Sequence, residues 1–166
     1  MHRAILPLFV DFKDKFLEPY LDNNLKILEV GSRLENSRLL LRDYMVNDKW
    51  EFTGLDIDAG RNVDVVSDDP YKYPFDDNAF DVVISTNVIE HVQDMSRWIK
   101  EVARVSNNLV WIVVPNSYKE HGKADYWRIM PQGMEYLLNN IAGLEVIDVG
   151  MSIYDPGDTF GIAKKI

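Results

Sequence analysis

Five short segments hold the residues whose types and spacing suit chemistry. The first is Ile27-Leu28-Glu29-Val30-Gly31-Ser32-Arg33. A glycine just past an apolar strand lets the backbone turn sharply and approach a ligand with no Cβ in the way. The second, Gly54-Leu55-Asp56-Ile57-Asp58, closes another apolar run about 25 residues later. A carboxylate at such a strand end has acceptor capacity for both hydroxyls of a ribose. The third is Ser67-Asp68-Asp69, followed by Tyr73-Pro74-Phe75. The fourth is Ser85-Thr86-Asn87, leading to Ile89-Glu90-His91-Val92. Ligands of open α/β sheets bind outside the carboxyl ends of the strands. Taken alone, Gly31 reads equally well as a turn and Asp56 as a solvated strand end. Their joint order is what points to one site.

The fifth segment runs from His121 to Arg128, before a helix-opening Pro131. One histidine, two aromatics and several charges make it a lid or acceptor clamp rather than a connector. Histidine titrates near neutrality and can take a proton from a hydroxyl. His121 and His91 are therefore the candidate catalytic residues. Tyr126, Trp127 and Arg128 are candidates for the acceptor side. The structural alternatives are a backbone-bonded His91, an exposed His121 and aromatics that pin the loop to the core. No His, Asp and Glu set has metal-ligand spacing, and cysteine is absent. The sequence predicts no metal site.

These segments need strands to present them. Short apolar runs alternate with amphipathic stretches, which predicts α/β layers around a mostly parallel sheet. The predicted strands are 26–30, 51–57, 63–66, 80–86, 109–114, 144–149 and 159–164. Met95, Trp98, Ile99, Val102 and Val105 form a helical stripe, with Asp94 placed as its N-cap. Met134, Leu137, Leu138 and Ile141 form another, opened by Pro131 and stopped by Gly143. A further helix is expected over about 37–46. The first twenty residues, with Phe9, Phe12, Phe16 and Leu17, read as a helix laid across the sheet. Asp155-Pro156-Gly157-Asp158 is a tight-turn signal, so the last two strands form an antiparallel hairpin.

Composition bounds the rest. A chain of 166 residues suits one domain. The net charge of −9 disfavours a broad phosphate-backbone contact, so nucleic acid is not the expected partner. The N-terminus is charged too soon for a signal peptide, and no run approaches the ~20 apolar residues of a membrane span. A cytoplasmic protein is expected. Oligomeric state is not legible.

Glu29-Val30-Gly31, Asp56, the Asp-x4-Pro-Phe stretch ending at Phe75, Phe80-Asp81-Val82-Val83 and Glu90-His91-Val92 together resemble the class I S-adenosylmethionine-dependent methyltransferases, specifically the type 11 group. The resemblance covers roughly 26–114. The stretch from His121 to Gly133 also resembles a segment of bacterial and viral relatives of uncertain substrate. It implies a Rossmann-like doubly wound sheet of about seven strands in a single domain. Within it, 1–21 would be a helical cover, 26–114 the cofactor-binding core and 115–166 the acceptor-side loop, helix and hairpin. It also implies S-adenosylmethionine as cofactor. Glu29 and Gly31 would border its methionine part, and Ser32 and Ile57 would also be cofactor-binding residues. Asp56 would hold the ribose, Asp68 or Asp69 the adenine amino group, and Asn87 would lie under the sulfonium. Tyr73 or Phe75 would pack beside the adenine.

The chain departs from the family pattern twice. Ser32-Arg33 follows Gly31 where the family has further glycines, and Ser106-Asn107-Asn108 replaces a Pro-Gly-Gly turn. A dinucleotide needs those glycines for its pyrophosphate, whereas S-adenosylmethionine has no phosphate. The first departure therefore weighs against a nucleotide-dependent oxidoreductase. The implied activity is methyl transfer to a small molecule or glycan precursor. The alternative is a catalytically idle cofactor-binding module acting through a partner protein.

Overall fold

The computed structural model describes residues 5–34, 40–153 and 157–166. Seven strands form one sheet: β1 (Leu25–Val30), β2 (Trp50–Asp56), β3 (Val65–Val66), β4 (Phe80–Thr86), β5 (Ser106–Pro115), β6 (Glu145–Met151) and β7 (Asp158–Lys164). Their order is β3-β2-β1-β4-β5-β7-β6. The first five pair in parallel, while β7 runs antiparallel to both β5 and β6. This is the doubly wound, Rossmann-like α/β sheet with the expected antiparallel hairpin. Residues 155 and 156 of the predicted turn lie outside the described residues.

The runs at β1, β4 and β5 are apolar on both faces because both faces are covered. On one side α1 (Ile5–Phe12) continues through a π turn at 13–17 and a 3-10 turn at 18–20. Phe12 stacks on Trp111 of β5 with ring centroids 5.1 Å apart. On the other side lie α2 (Met95–Val105) and α3 (Pro131–Tyr136), the latter extended by a π turn at 137–141. Asp94 caps α2, its Oδ1 accepting from the Arg97 N–H at 3.0 Å. A cap of this kind stabilises a helix by about 1 kcal/mol. Gly143 ends the α3 segment at φ +71°. No helix among the described residues is long and apolar enough to cross a membrane.

Two expectations change. The helix over 37–46 is not formed in its described part: residues 40–46 hold a single 3-10 turn, Leu41–Tyr44. Residues 37–39 lie outside the description. Leu39-Leu40-Leu41 are consecutive rather than helically spaced, and Leu40 is already extended. The turn at 106–108 is absent as well. α2 ends at Val105 and β5 starts at Ser106. The Asn pair there is the irregular start of a strand, opposite a register shift between Phe80 and Val82.

Candidate functional site

The carboxyl ends of β1, β2 and β4 open into one cleft of about 970 Å³. That is at the upper end of the range for small-molecule and cofactor sites. Gly31 turns at its edge with φ +75°. The Gly31 and Ser32 N–H groups both donate to the Leu55 carbonyl, at 2.8 and 3.0 Å. A Cβ at Gly31 would stand 2.0 Å from Val88 Cγ2, so a side chain does not fit. The Arg33 N–H then donates to Asp56 Oδ2 at 2.9 Å, curling the loop over the end of β2. Asp56 Oδ1 accepts weakly from the Asp58 N–H at 3.2 Å. A carboxylate has about four acceptor positions, so Asp56 retains capacity for hydroxyls in the cleft.

Among the described residues, three buried polar atoms of cleft-lining residues have no hydrogen-bond partner: Asn87 Oδ1, the Tyr73 hydroxyl and His121 Nδ1. Buried polar groups are nearly always satisfied, and exceptions at a cleft point to a ligand. Burial and the nearby Glu101 and Asp69 push the Tyr73 hydroxyl well above its usual range, so it stays a proton donor. Asn87 holds φ +55°, and its N–H donates to the Val113 carbonyl at 2.9 Å. A non-glycine residue in this region is uncommon, and here its side chain approaches the Glu90 carboxyl.

Of the residues singled out from sequence, Gly31, Asp56, Ile57, Tyr73 and Asn87 line the cleft, as do His91, His121 and Tyr126. The others do not. Ser32 is buried behind the turn. Asp68 is exposed, and Asp69 Oδ1 accepts from the Tyr71 N–H at 2.8 Å. Ser67, Tyr71 and Tyr73 form the wall where those acids were expected. Glu29 is buried beneath the loop, accepting from Asn62 Nδ2 at 2.9 Å, and the same amide donates to the Ser32 carbonyl. It supports the turn from below.

Burial pushes the Glu29 carboxyl up to about 7, with Asn62 and Arg42 opposing the rise and Asp56 adding to it. A raised carboxyl means the folded chain holds more protons than the unfolded one between its ordinary value and about 7. Stability therefore falls as pH rises through that window. The contribution at pH 8 is roughly 3 kcal/mol of destabilisation. Denaturant unfolding of Glu29→Gln should show a flatter loss between pH 5 and 8 than the unsubstituted protein. Equal slopes in the two proteins would refute the assignment.

Another wall of the cleft is built by the segment 116–130 folding back on the 3-10 turn Ile89–His91. Three bonds join them. Tyr126 N–H donates to the Glu90 carbonyl at 2.8 Å, and Trp127 Nε1 to the Val92 carbonyl at 2.8 Å. His91 Nδ1 donates to the Ala124 carbonyl at 2.7 Å. Trp127 therefore fastens the lid. Arg128 does the same: it grips both Asp125 oxygens, at 2.5 and 2.6 Å, and donates to the Tyr118 and Lys119 carbonyls. Asp125 is fully covered, and Arg128 holds it well below the usual carboxylate range. The His91 and His121 rings meet edge to face with centroids 5.1 Å apart. Glu90 beside them is buried, which pushes its carboxyl up to about 7.

A family model described as a methyltransferase domain matches residues 28–114, just over half of the chain. The chain belongs to this methyltransferase domain family. No curated protein sequence matches it. Among solved structures it is similar to an S-adenosylmethionine-dependent methyltransferase from Aquifex aeolicus, at 16% identity and TM-score 0.67, with all of both chains covered. It is similar to the 1,6-didemethyltoxoflavin-N1-methyltransferase of Burkholderia thailandensis, solved with its acceptor and S-adenosylhomocysteine. There the identity is 13% and the TM-score 0.72, over 98% of this chain and 78% of that one. It also resembles the magnesium protoporphyrin IX methyltransferase of Synechocystis PCC 6803 with bound S-adenosylmethionine, at 11% identity and TM-score 0.69. That match covers 98% of this chain and 80% of the other.

In this methyltransferase domain one supporting device escaped the sequence reading. Arg104 pairs with Glu101 at 2.7 and 2.8 Å and reaches the carbonyls of Tyr73 and Phe75. Glu101 in turn accepts from the Tyr73 N–H at 2.6 Å. The end of α2 thus fixes the tyrosine wall of the cleft. The i, i+3 spacing of Glu101 and Arg104 is visible in sequence, but the segment they hold is not.

Proposed function

We propose that the chain is an enzyme transferring a methyl group from S-adenosylmethionine to a small-molecule or glycan-precursor acceptor at the His91–His121 end of the cleft. The observation that carries this reading is the pair of partnerless polar groups, Asn87 Oδ1 and the Tyr73 hydroxyl. They line the same cleft as a turn that only glycine fits, with Asp56 at the next strand end. These groups suit the cofactor: Asp56 accepts from ribose hydroxyls, and Ile57 and Tyr71 offer apolar surface beside the base. Asn87 Oδ1 directs partial negative charge where a sulfonium would lie. Bound S-adenosylmethionine supplies an electrophilic methyl group. The protein contributes position and water exclusion, which can account for much of a transfer rate. The His91 and His121 rings face the acceptor's side, where an imidazole can accept a hydroxyl proton. We place the protein in the cytoplasm.

S-adenosylhomocysteine should raise the melting temperature, because a ligand at 100 times its Kd stabilises the native state by about 2.7 kcal/mol. Calorimetry showing no binding at roughly millimolar ligand would remove the reading. Asp56→Ala should weaken that binding at least tenfold, since each hydrogen bond to a charged group contributes about 1.5–3 kcal/mol before water replaces it. An unchanged Kd would show that the ribose is held elsewhere. Binding without acceptor-dependent S-adenosylhomocysteine release across hydroxyl and glycan-precursor acceptors would favour a cofactor-binding module that acts through a partner.

A further inference from the structure

Glu90, His91 and His121 each bring one ligand atom to a common point, all within 4.8 Å of one another. Thirty residues separate His91 from His121, so sequence spacing could not reveal the group; the lid closes it. We propose that these three side chains form a binding site for a divalent first-row transition-metal ion, open on its remaining side to the cleft. The proposal deepens the functional reading above, on which only the ion's role toward an acceptor rests.

Four observations converge. Glu90 is completely buried, and neither carboxylate oxygen makes a hydrogen bond of ordinary geometry, although its own backbone N–H and the Asn87 side chain approach it. Buried carboxylates are paired or coordinate metals. His91 Nδ1 is committed to the Ala124 carbonyl, so its proton sits there, and the lone pair on Nε2 stands 3.7 Å from Glu90 Oε1. His121 Nδ1 is buried without a hydrogen-bond partner, although it lies 3.0 Å from Asp125 Oδ2, a carboxylate locked by Arg128. The carbonyl behind His91 is the kind of outer partner that orients a metal-ligating imidazole, and His121 brings a nitrogen that nothing else satisfies. Finally, Ala124 is held at φ +129° by the bond from His91. Such backbone strain in a non-glycine residue persists where the surroundings impose it, often at functional sites.

The donor set names the ion class. Two imidazoles and one carboxylate suit zinc, cobalt or iron(II), whereas magnesium and calcium prefer all-oxygen shells. Three protein ligands plus an open position is the composition of catalytic rather than structural zinc sites. Bonds of roughly 2.0–2.2 Å would draw the donor atoms closer by about 1 Å, within reach of side-chain rotation. His91 and His121 both line the cleft, so the open position faces the acceptor. An acceptor hydroxyl there would lose its proton more readily, as metal-bound water does.

The test is calorimetry of Zn2+ alone into the metal-stripped full chain, without cofactor, with the visible spectrum of the Co2+ form reporting its coordination. One equivalent should bind. Glu90→Gln and His121→Ala should each weaken binding by at least ~100-fold, more than loss of an outer-shell partner does. His2→Ala, the control for the remaining histidine, should leave it unchanged. His121 is on a partly exposed loop, so its variant reports even if the buried Glu90 variant does not fold. No Zn2+ binding by the unsubstituted chain, or binding that survives His121→Ala, would overturn the site. S-adenosylhomocysteine binding on the same preparations separates the two readings: zinc without cofactor binding removes methyl transfer and keeps the site, and the reverse removes the site.

Discussion

Gly31→Ala is expected to reduce S-adenosylhomocysteine affinity at least ~100-fold in a chain that still folds. At φ +75° an alanine is strained by about 1–2 kcal/mol. Its Cβ would also meet Val88 at 2.0 Å, and the other Val88 atoms at 3.2 Å leave that stiff side chain little room to turn. Overpacking of this kind costs about 1–3 kcal/mol. The chain can relieve both by swinging the Gly31–Arg33 loop outward. That breaks the two bonds to the Leu55 carbonyl and the Arg33 bond to Asp56. The unbound protein then rests with its cleft unformed, and a ligand must restore the strained loop to bind. About 3 kcal/mol of such reorganisation corresponds to more than a hundredfold in Kd. Calorimetry gives the affinity and circular dichroism the fold. A Kd within about threefold of the unsubstituted protein would mean that the cofactor does not use this turn.

Much of the cofactor half was legible because parallel sheets impose a simple rule. Residues that matter lie just past the carboxyl ends of strands, and strands buried on both faces announce themselves as apolar runs. Gly31, Asp56 and Asn87 follow from that rule with no knowledge of packing. Asp68 and Asp69 follow from it too, yet they do not line the cleft. β3 is only two residues long, so the direction of side chains after it is set by local turns such as the Asp69–Tyr71 bond rather than by strand alternation. The helix expected over 37–46 rested on apolar content without helical spacing. The acceptor half was less legible still. Arg128 has the chemistry of a clamp, but its five donors are spent on Asp125 and on carbonyls of its own loop. Only the folded lid shows that Glu90, His91 and His121 meet.

His121→Ala is expected to lower turnover roughly 10²–10⁴-fold while S-adenosylhomocysteine affinity stays nearly unchanged. The ring lines the cleft, edge to face with His91, with Nδ1 3.0 Å from Asp125 Oδ2. Gly31 follows β1 and Asp56 ends β2, elements far in sequence from the segment that carries His121. The backbone of His121 also matters: its N–H donates to Asp125 Oδ2 at 2.7 Å, a bond that alanine keeps. With Arg128 still gripping Asp125, the lid retains its main staple in the variant. A fall in turnover can then be assigned to the imidazole rather than to collapse of the loop. Arg128→Ala provides the contrast. It leaves the covered Asp125 carboxylate without its cation, which should destabilise the chain by about 2–3 kcal/mol and disturb binding and melting temperature together. The readout is S-adenosylhomocysteine release in the presence of hydroxyl-bearing acceptors. If the imidazole acts through a bound ion, excess Zn2+ should partly restore His121→Ala, because two ligands remain. If it takes the proton directly, zinc should restore nothing. Turnover unchanged in His121→Ala would remove the residue from the reaction and leave it a loop anchor.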